Sequence, residues 1–443
     1  MRFLLINPSW GRLIGSDRRY NRRWPPLSLL NCAAVLKNAG FEAAVLDARA
    51  KKVSRAALQF EVSRADFIIM TSSPLDRWQC PNLDLEPFFS QTDNLPKEKL
   101  LICGVHGTVF PERMLRLTQA KFIIRDEPEV SILDFVKTRK WEDTLGISYL
   151  KQDKVENNPR CPPLNLENMP FPAYSLINPS DYFYEVLGER MALLEGSRGC
   201  PYQCPFCLKV MFGQGVRVKP IPQMIDEIER VIREYRFRNI YFFDMEFAFN
   251  KRRVMELCRN LIKKDLKFFW ACQTRPENVD EELLSLMSRA GCRLIHFGIE
   301  TGEPSVQAKI MKKIDIQKTK SIIKKAHKLR VATACFYIVG FPDETHKERE
   351  KTLNLALYLD STYATFHLLA PYPSASVYKK YFEDETFFPK CLPDVSESET
   401  NRWIRHAFFR FYLRPKHIVK TLRFFFRQGS VFKKNRLFKE FIR

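Results

Sequence analysis

The sequence predicts an α/β protein with two parallel sheets: a doubly wound domain, then a partial (β/α)6 barrel, then a basic helical tail. Three observations predict it. Short apolar runs alternate with helical patterns along most of the chain, as βαβ units require. A proline-rich stretch, "NNPRCPPLNLENMPFPAYSLINPSDY" at 157–182, interrupts that alternation once. Prolines are excluded from helix interiors and central strands, so this stretch reads as an ordered crossing between domains. A chain of 443 residues also exceeds one ordinary core.

Taken in order, "RFLLIN", "FEAAVLD", "DFIIMT", "KLLICG" and "KFIIR" are expected strands, with helices over "LSLLNCAAVLKNAG" and near 54–64. Continuous apolar strands belong to a parallel sheet covered on both faces. Ligands of such sheets gather at the strands' carboxyl ends, here 7–10, 71–76 and 104–108. From Met191 a second series begins: "MALLEGS", "RNIYFFD", "KFFWACQ", "CRLIHFGI", "VATACFYIVG" and "ATFHLLAP". Helical patterns separate these runs at 222–236, 251–264, 279–290, 317–329 and 343–360. Six strands with crossover helices suit an open barrel whose site lies at the strand carboxyl ends. The expected domains are 1–144, a linker at 145–190, a barrel at 191–390 and a tail at 391–443.

Composition narrows the class. Apolar residues make up 45% and no repeat or low-complexity linker is present. The opening "MRFLLINPSWG" has too short an apolar run for a signal peptide, and no run of about 18 apolar residues occurs, so a cytoplasmic location is expected. Of the 12 cysteines, nine are scattered and read as reduced, mostly buried thiols. The formal charge of +21 is uneven: residues 401–443 hold thirteen Lys/Arg against Glu440 alone. A local basic tail does not make nucleic acid the expected partner.

The chemistry concentrates in "EGSRGCPYQCPFCLK" at 195–209, where Cys200, Cys204 and Cys207 follow the first barrel strand. Structural zinc takes four ligands, often in two C-x-x-C pairs, and no second pair exists. A [4Fe-4S] cluster on three thiolates leaves one iron without a protein ligand, and an open iron can bind a small molecule. A structural zinc with a distant fourth ligand is the plainer alternative. The seven histidines show no H-x-x-x-H spacing. His296 and His367, in expected strands, are either packed or turned toward substrate.

With Phe206 before its last cysteine, this motif resembles that of the radical S-adenosylmethionine (SAM) enzymes. The resemblance implies SAM chelated at the open iron. It continues downstream: "FFDMEFAFN" points to Asp244 and Glu246 for the SAM amino group, with Met245 where an acidic residue is frequent. "FGIETG" points to Glu300 for the ribose, and "YIVGFPDET" to Ile338, Gly340 and Phe341 for the adenine, with Asp343 in place of a frequent glycine.

The first domain resembles the flavodoxin-like, cobalamin-binding domain that precedes the barrel in the subgroup of the anaerobic magnesium-protoporphyrin ester cyclase and the hopanoid methylases. "CGVHGTVFPE" corresponds to a Gly-Gly-x-His-x-Thr loop with Cys103 for the first glycine, and "RDEPE" to Arg-Gly-Glu-Pro-Glu with Asp126 for the glycine. Asn7, Ser72, Gly104, His106 and Thr108 are the expected cobalamin contacts. The D-x-H-x-x-G motif is absent, and His106 is open to a second reading as a satisfied turn histidine.

The resemblance implies a reduced cluster that splits SAM into methionine and a 5'-deoxyadenosyl radical, with cobalamin for methyl transfer. Methylation or cyclisation of an unactivated carbon in an apolar small molecule or lipid is expected, fed by a flavodoxin- or ferredoxin-like donor. The alternative is an RNA-modifying methylthiotransferase with a second cluster on Cys32, Cys80 and Cys103. The tail, with Phe408, Phe411, Tyr412 and the Phe424–Phe426 run among basic residues, reads as a cap on the barrel or as a peripheral contact to an anionic membrane face.

Overall fold

The computed structural model describes residues 1–10, 23–213, 215–383 and 386–420. The chain forms two compact units, one of Met1–Phe183 with Leu208–Val218, the other of Tyr184–Cys207 with Lys219–Arg443. The Phe424–Phe426 run lies outside the described residues.

The first unit is built on a seven-stranded sheet. Its strands are β1 (Arg2–Asn7), β2 (Glu42–Asp47), β3 (Phe67–Thr71), β4 (Leu100–Cys103), β5 (Phe122–Ile124), β6 (Ile147–Lys151) and β7 (Lys154–Asn157). The order is 2-1-3-4-5-6-7, and β1 to β5 run parallel. That 2-1-3-4-5 order is the doubly wound one. Every residue of β1 and β4 is buried, because helices cover both faces. The helix Leu27–Asn38 follows Pro25 and Pro26 and buries ten consecutive residues, from Leu27 to Leu36.

The expected linker differs in its first part. β6 pairs antiparallel with β5 and with β7, extending the sheet. Gln152 (φ +50°) and Asp153 (φ +62°) form the intervening turn, whose paired left-handed residues match the twist of a two-residue hairpin. Gln-Asp is a weak hairpin signal, which is why the strands are hidden in the sequence. The proline-rich remainder is ordered: Tyr182 Oη donates to Asp47 Oδ2 at 2.9 Å.

The second unit holds six parallel strands in sequential order: β8 (Met191–Leu194), β9 (Asn239–Phe242), β10 (Phe269–Thr274), β11 (Cys292–Glu300), β12 (Ala332–Val339) and β13 (Tyr363–Leu368). Crossover helices span Ile221–Arg233, Lys251–Lys264, Glu281–Arg289, Ile316–Lys328 and His346–Leu359. The last four start where the side chains of Asn250, Asp280, Asp315 and Thr345 accept backbone N–H bonds. The helix Glu397–Tyr412 closes the β13 edge: Trp403, Ile404, Ala407 and Phe411 are buried, and Tyr412 Oη bonds both the N–H and C=O of Ala364. Phe409 and Leu413 face outward at 58% and 64% exposure beside exposed Arg402, Arg405 and Arg410, so the helix is a cap with a mixed basic and apolar outer face.

Candidate functional site

The cysteine loop hangs from the end of β8. Glu195 and Arg198 make a buried two-pronged pair at 2.8 Å that fixes the chain before Cys200. Asp244, just past β9, accepts from the Gly196 N–H at 3.0 Å and the Ser197 hydroxyl at 2.5 Å. Burial pushes its carboxyl up to about 6, against the two donors that pull it down. Asp244 therefore supports the loop leading into the cysteines.

Cys200, Cys204 and Cys207 are half-buried, and the Cys207 N–H closes a turn on the Cys204 carbonyl at 3.1 Å. Arg275, one residue past β10, donates from Nη2 to Cys204 Sγ at 3.0 Å. Glu246 accepts from the Arg275 N–H at 2.9 Å, from Asn278 Nδ2 at 2.9 Å and from the Thr274 hydroxyl. Burial raises its pKa. Asp244 and Glu246 thus divide: the first holds the cysteine loop, the second the loop after β10.

Glu300 ends β11 with φ +68°, a conformation uncommon for a side-chain-bearing residue and characteristic of functional sites. Its Oε1 accepts from buried Lys312 Nζ at 2.6 Å. A Cβ on Gly298 would stand 2.5 Å from that oxygen and 2.7 Å from Nζ, so glycine leaves the room in which the pair sits. Phe206 and Phe341 meet edge-on at 6.1 Å and share an apolar cluster with Ile338. Gly340, at φ +85°, donates its N–H to Glu344. Asp343 has φ +61°, the backbone state that makes glycine frequent at such a place and that aspartate tolerates.

Lys312, Arg275, Asn278 and Tyr202 escaped the sequence reading. Lys312 is one of several lysines around "KIMKK", with no pattern to mark it. Arg275 carried a signal, a charge directly at a strand's carboxyl end. His296 is a packed histidine: it is buried, with Nε2 3.0 Å from Tyr184 Oη and Nδ1 3.1 Å from Tyr241 Oη. His367 is exposed.

In the first unit, Ser72, Gly104, His106 and Thr108 form one knot at the ends of β3 and β4. His106 Nδ1 lies 3.1 Å from Ser72 Oγ and Nε2 2.9 Å from the Asn82 carbonyl. Burial lowers its pKa to about 4, so it is neutral, and both nitrogens are engaged within the unit, as the turn-histidine reading has it. Thr108 Oγ1 donates to the Gly104 carbonyl and accepts from the Asp126 N–H. Gly104 has φ +109° and its missing Cβ would lie 2.8 Å from Ser73 N, so the glycine is required by the protein's own backbone. Asn7, at the end of β1, donates to Asp47 at 2.9 Å, while its buried Oδ1 has no partner among the described residues.

Among the described residues no three His, Cys, Asp or Glu side chains converge on one metal-ion position.

The second unit thus carries three thiols in the loop after the first of six parallel strands, the arrangement from which an enzyme of cluster-and-cofactor chemistry is expected. Residues 194–356 match the family model described as "Radical SAM superfamily". An uncharacterized methyltransferase of Pyrococcus horikoshii is 30% identical over 338 residues, covering 72% of this chain and 73% of that one. The anaerobic magnesium-protoporphyrin IX monomethyl ester cyclase of Cereibacter sphaeroides is 24% identical, covering 94% and 71%. Among solved structures, the radical SAM methyltransferase TsrM from Kitasatospora setae, with cobalamin and a [4Fe-4S] cluster bound, superposes with a TM-score of 0.69 at 15% identity, covering 86% of this chain and 74% of that one. The chain belongs to the radical SAM superfamily, and a [4Fe-4S] cluster and SAM follow from that membership. It is a radical SAM enzyme related to methyltransferases and to the anaerobic cyclase. No helix among the described residues is long and apolar enough to cross a membrane.

Proposed function

We propose that Cys200, Cys204 and Cys207 hold the [4Fe-4S] cluster in a partial (β/α)6 barrel, and that the first unit is a cobalamin-binding domain. When bound, the cluster and SAM supply one-electron cleavage that creates a hydrogen-abstracting radical, and cobalamin supplies a methyl group. The observation that carries the reading is the gathering around the cysteine loop of groups complementary to an amino acid and a nucleoside. Glu246 offers a carboxylate to an ammonium, and Lys312 beside Glu300 offers a cation to a carboxylate. Glu300 would also accept from a ribose hydroxyl. Phe206, Ile338, Gly340 and Phe341 offer an apolar wall to a purine. Asp244 acts one step back, holding Gly196 and Ser197 in place.

For cobalamin, the doubly wound order of the first unit and the orphaned Oδ1 of Asn7 support the reading, since an unpartnered buried acceptor suits an amide-bearing ligand. Ser72, Gly104 and Thr108 would contact it through backbone and hydroxyl, and His106 would shape the loop. The substrate is an apolar small molecule or lipid, methylated or cyclised at an unactivated carbon, and the electron comes from a flavodoxin- or ferredoxin-like donor. The RNA-modifying alternative is disfavoured because Cys32 and Cys103 are packed in the apolar core whereas Cys80 is exposed.

Anaerobic reconstitution with iron, sulfide and hydroxocobalamin tests this. We expect about four irons and one cobalamin per chain. Cys204→Ala should abolish both iron uptake and 5'-deoxyadenosine formation; retained SAM cleavage would sink the cluster assignment. We further propose that the exposed stripe of Arg402, Arg405, Phe409 and Leu413 contacts an anionic membrane face. Sedimentation with phosphatidylglycerol vesicles but not with phosphatidylcholine ones is expected, and binding to neither, or equally to both, rules it out.

A further inference from the structure

Arg275 is a charged group aimed at Cys204, and three contacts fix it. Its N–H is bound by Glu246 at 2.9 Å, its guanidinium lies 3.6 Å over the Tyr202 ring, and its Nη2 donates to Cys204 Sγ at 3.0 Å. Tyr202, which lies between Cys200 and Cys204, donates its hydroxyl to Asn278 Oδ1 at 2.9 Å. Asn278 in turn donates to Glu246 at 2.9 Å. The contacts close a ring, Glu246 to Asn278 to Tyr202 to Arg275 and back, with the cysteine sulfur held from inside it. A cation on a long flexible stem is thereby held in one place.

We infer that Arg275 is a positioning residue that fixes Cys204 and raises the reduction potential of the cluster held there. This rests on the reading that Cys200, Cys204 and Cys207 carry that cluster. One-electron reduction adds a negative charge to the cluster, and a fixed cation with an N–H to sulfur favours the more negative state. The planar fork and the ring stacking are properties of arginine that lysine lacks.

The test is a potentiometric titration of the iron- and sulfide-loaded full chain, followed by the electron paramagnetic resonance signal of the reduced cluster. Arg275→Gln should keep about four irons per chain. Its midpoint should fall by the equivalent of a tenfold poorer reduction, about 59 mV for one electron. Arg275→Lys should fall by less. A midpoint in the fully loaded Arg275→Gln chain equal to the wild type overturns the inference. Where that variant fails to load, Tyr202→Leu carries the test: it keeps the thiols and the charge but removes the ring that holds the guanidinium. A smaller fall in the same direction is expected there, and an unchanged midpoint overturns the inference. Cys204→Ala separates the two readings, because four irons retained without that sulfur would refute the cluster assignment itself.

Discussion

The two sheets end differently at their carboxyl edges. In the first unit the strand-end loop of Ser72, Gly104, His106 and Thr108 is neutral and bonds within itself and to the backbone of Asn82 and Asp126, while the charge at that edge sits in the buried Arg49–Asp76 pair. In the second unit the same position carries buried or half-buried charge: Asp244, Glu246, Arg275, Glu300 and Lys312. Burying an ion costs several kcal/mol unless partners replace its water. Here each has them, whether the Gly196 and Ser197 donors on Asp244 or the Lys312 ammonium on Glu300. One topological rule thus places both sites, and the choice of neutral or ionic side chains separates a shaped loop from an electrostatic one.

Breaking the ionic edge should have the largest effect. Lys312→Met leaves Glu300 buried and unpaired, which should cost about 3–5 kcal/mol by urea unfolding. The double variant Lys312→Met, Glu300→Gln should recover most of that loss while still failing to bind SAM. If the single variant costs less than about 1 kcal/mol, the pair is not the buried one seen here.

The pH responses sharpen the contrast. The folded pKa of Asp244 lies near 6, above its ordinary 3.8, so its contribution is present below about pH 4 and is lost as pH rises toward 6. His106 is lowered from 6.5 to about 4, so its contribution is present above pH 6.5 and is lost as pH falls toward 4. Each shift of about two units corresponds to roughly 3 kcal/mol. His327 in the second unit is also lowered to about 4, so the two residues are compared through variants. The stability of Asp244→Asn relative to wild type should rise from pH 4 to 6, and that of His106→Phe should fall. Parallel trends would contradict the opposite burial effects.

Much of this was legible in the residues. Apolar runs mark the parallel strands because both faces are covered, whereas the helix starts at the Asn250, Asp280, Asp315 and Thr345 caps were read from the structure. Asp244, Glu246 and Glu300 were legible as strand-end acids. Their partners were not: whether a carboxylate there meets a ligand or a backbone N–H depends on loops distant in sequence, as with Asp244 and Gly196. The β6–β7 hairpin was hidden because its turn has neither Gly nor Asn.

The smallest effect comes from two aspartates, one in each unit, that stand where the family's pattern has glycine. Asp126 and Asp343 share φ +61°, a state that costs an ordinary L-residue on the order of 1–2 kcal/mol and aspartate less. They differ in what the carboxylate does. Asp126 pairs with Arg160 through two hydrogen bonds, whereas exposed Asp343 lies within reach of the Lys380 charge. Glycine relieves the backbone at both places but adds freedom to the unfolded chain, offsetting part of the gain. Asp343→Gly should therefore stabilise by about 0.5 kcal/mol. Asp126→Gly also loses an ion pair that is open to solvent on the Arg160 side, worth about 0.5–1 kcal/mol, and should come out at or below zero. Urea midpoints of the two variants decide it. An Asp343→Gly chain weaker by more than about 1 kcal/mol would mean that this carboxylate, like the acids of the neighbouring site, is held for its charge rather than tolerated for its backbone.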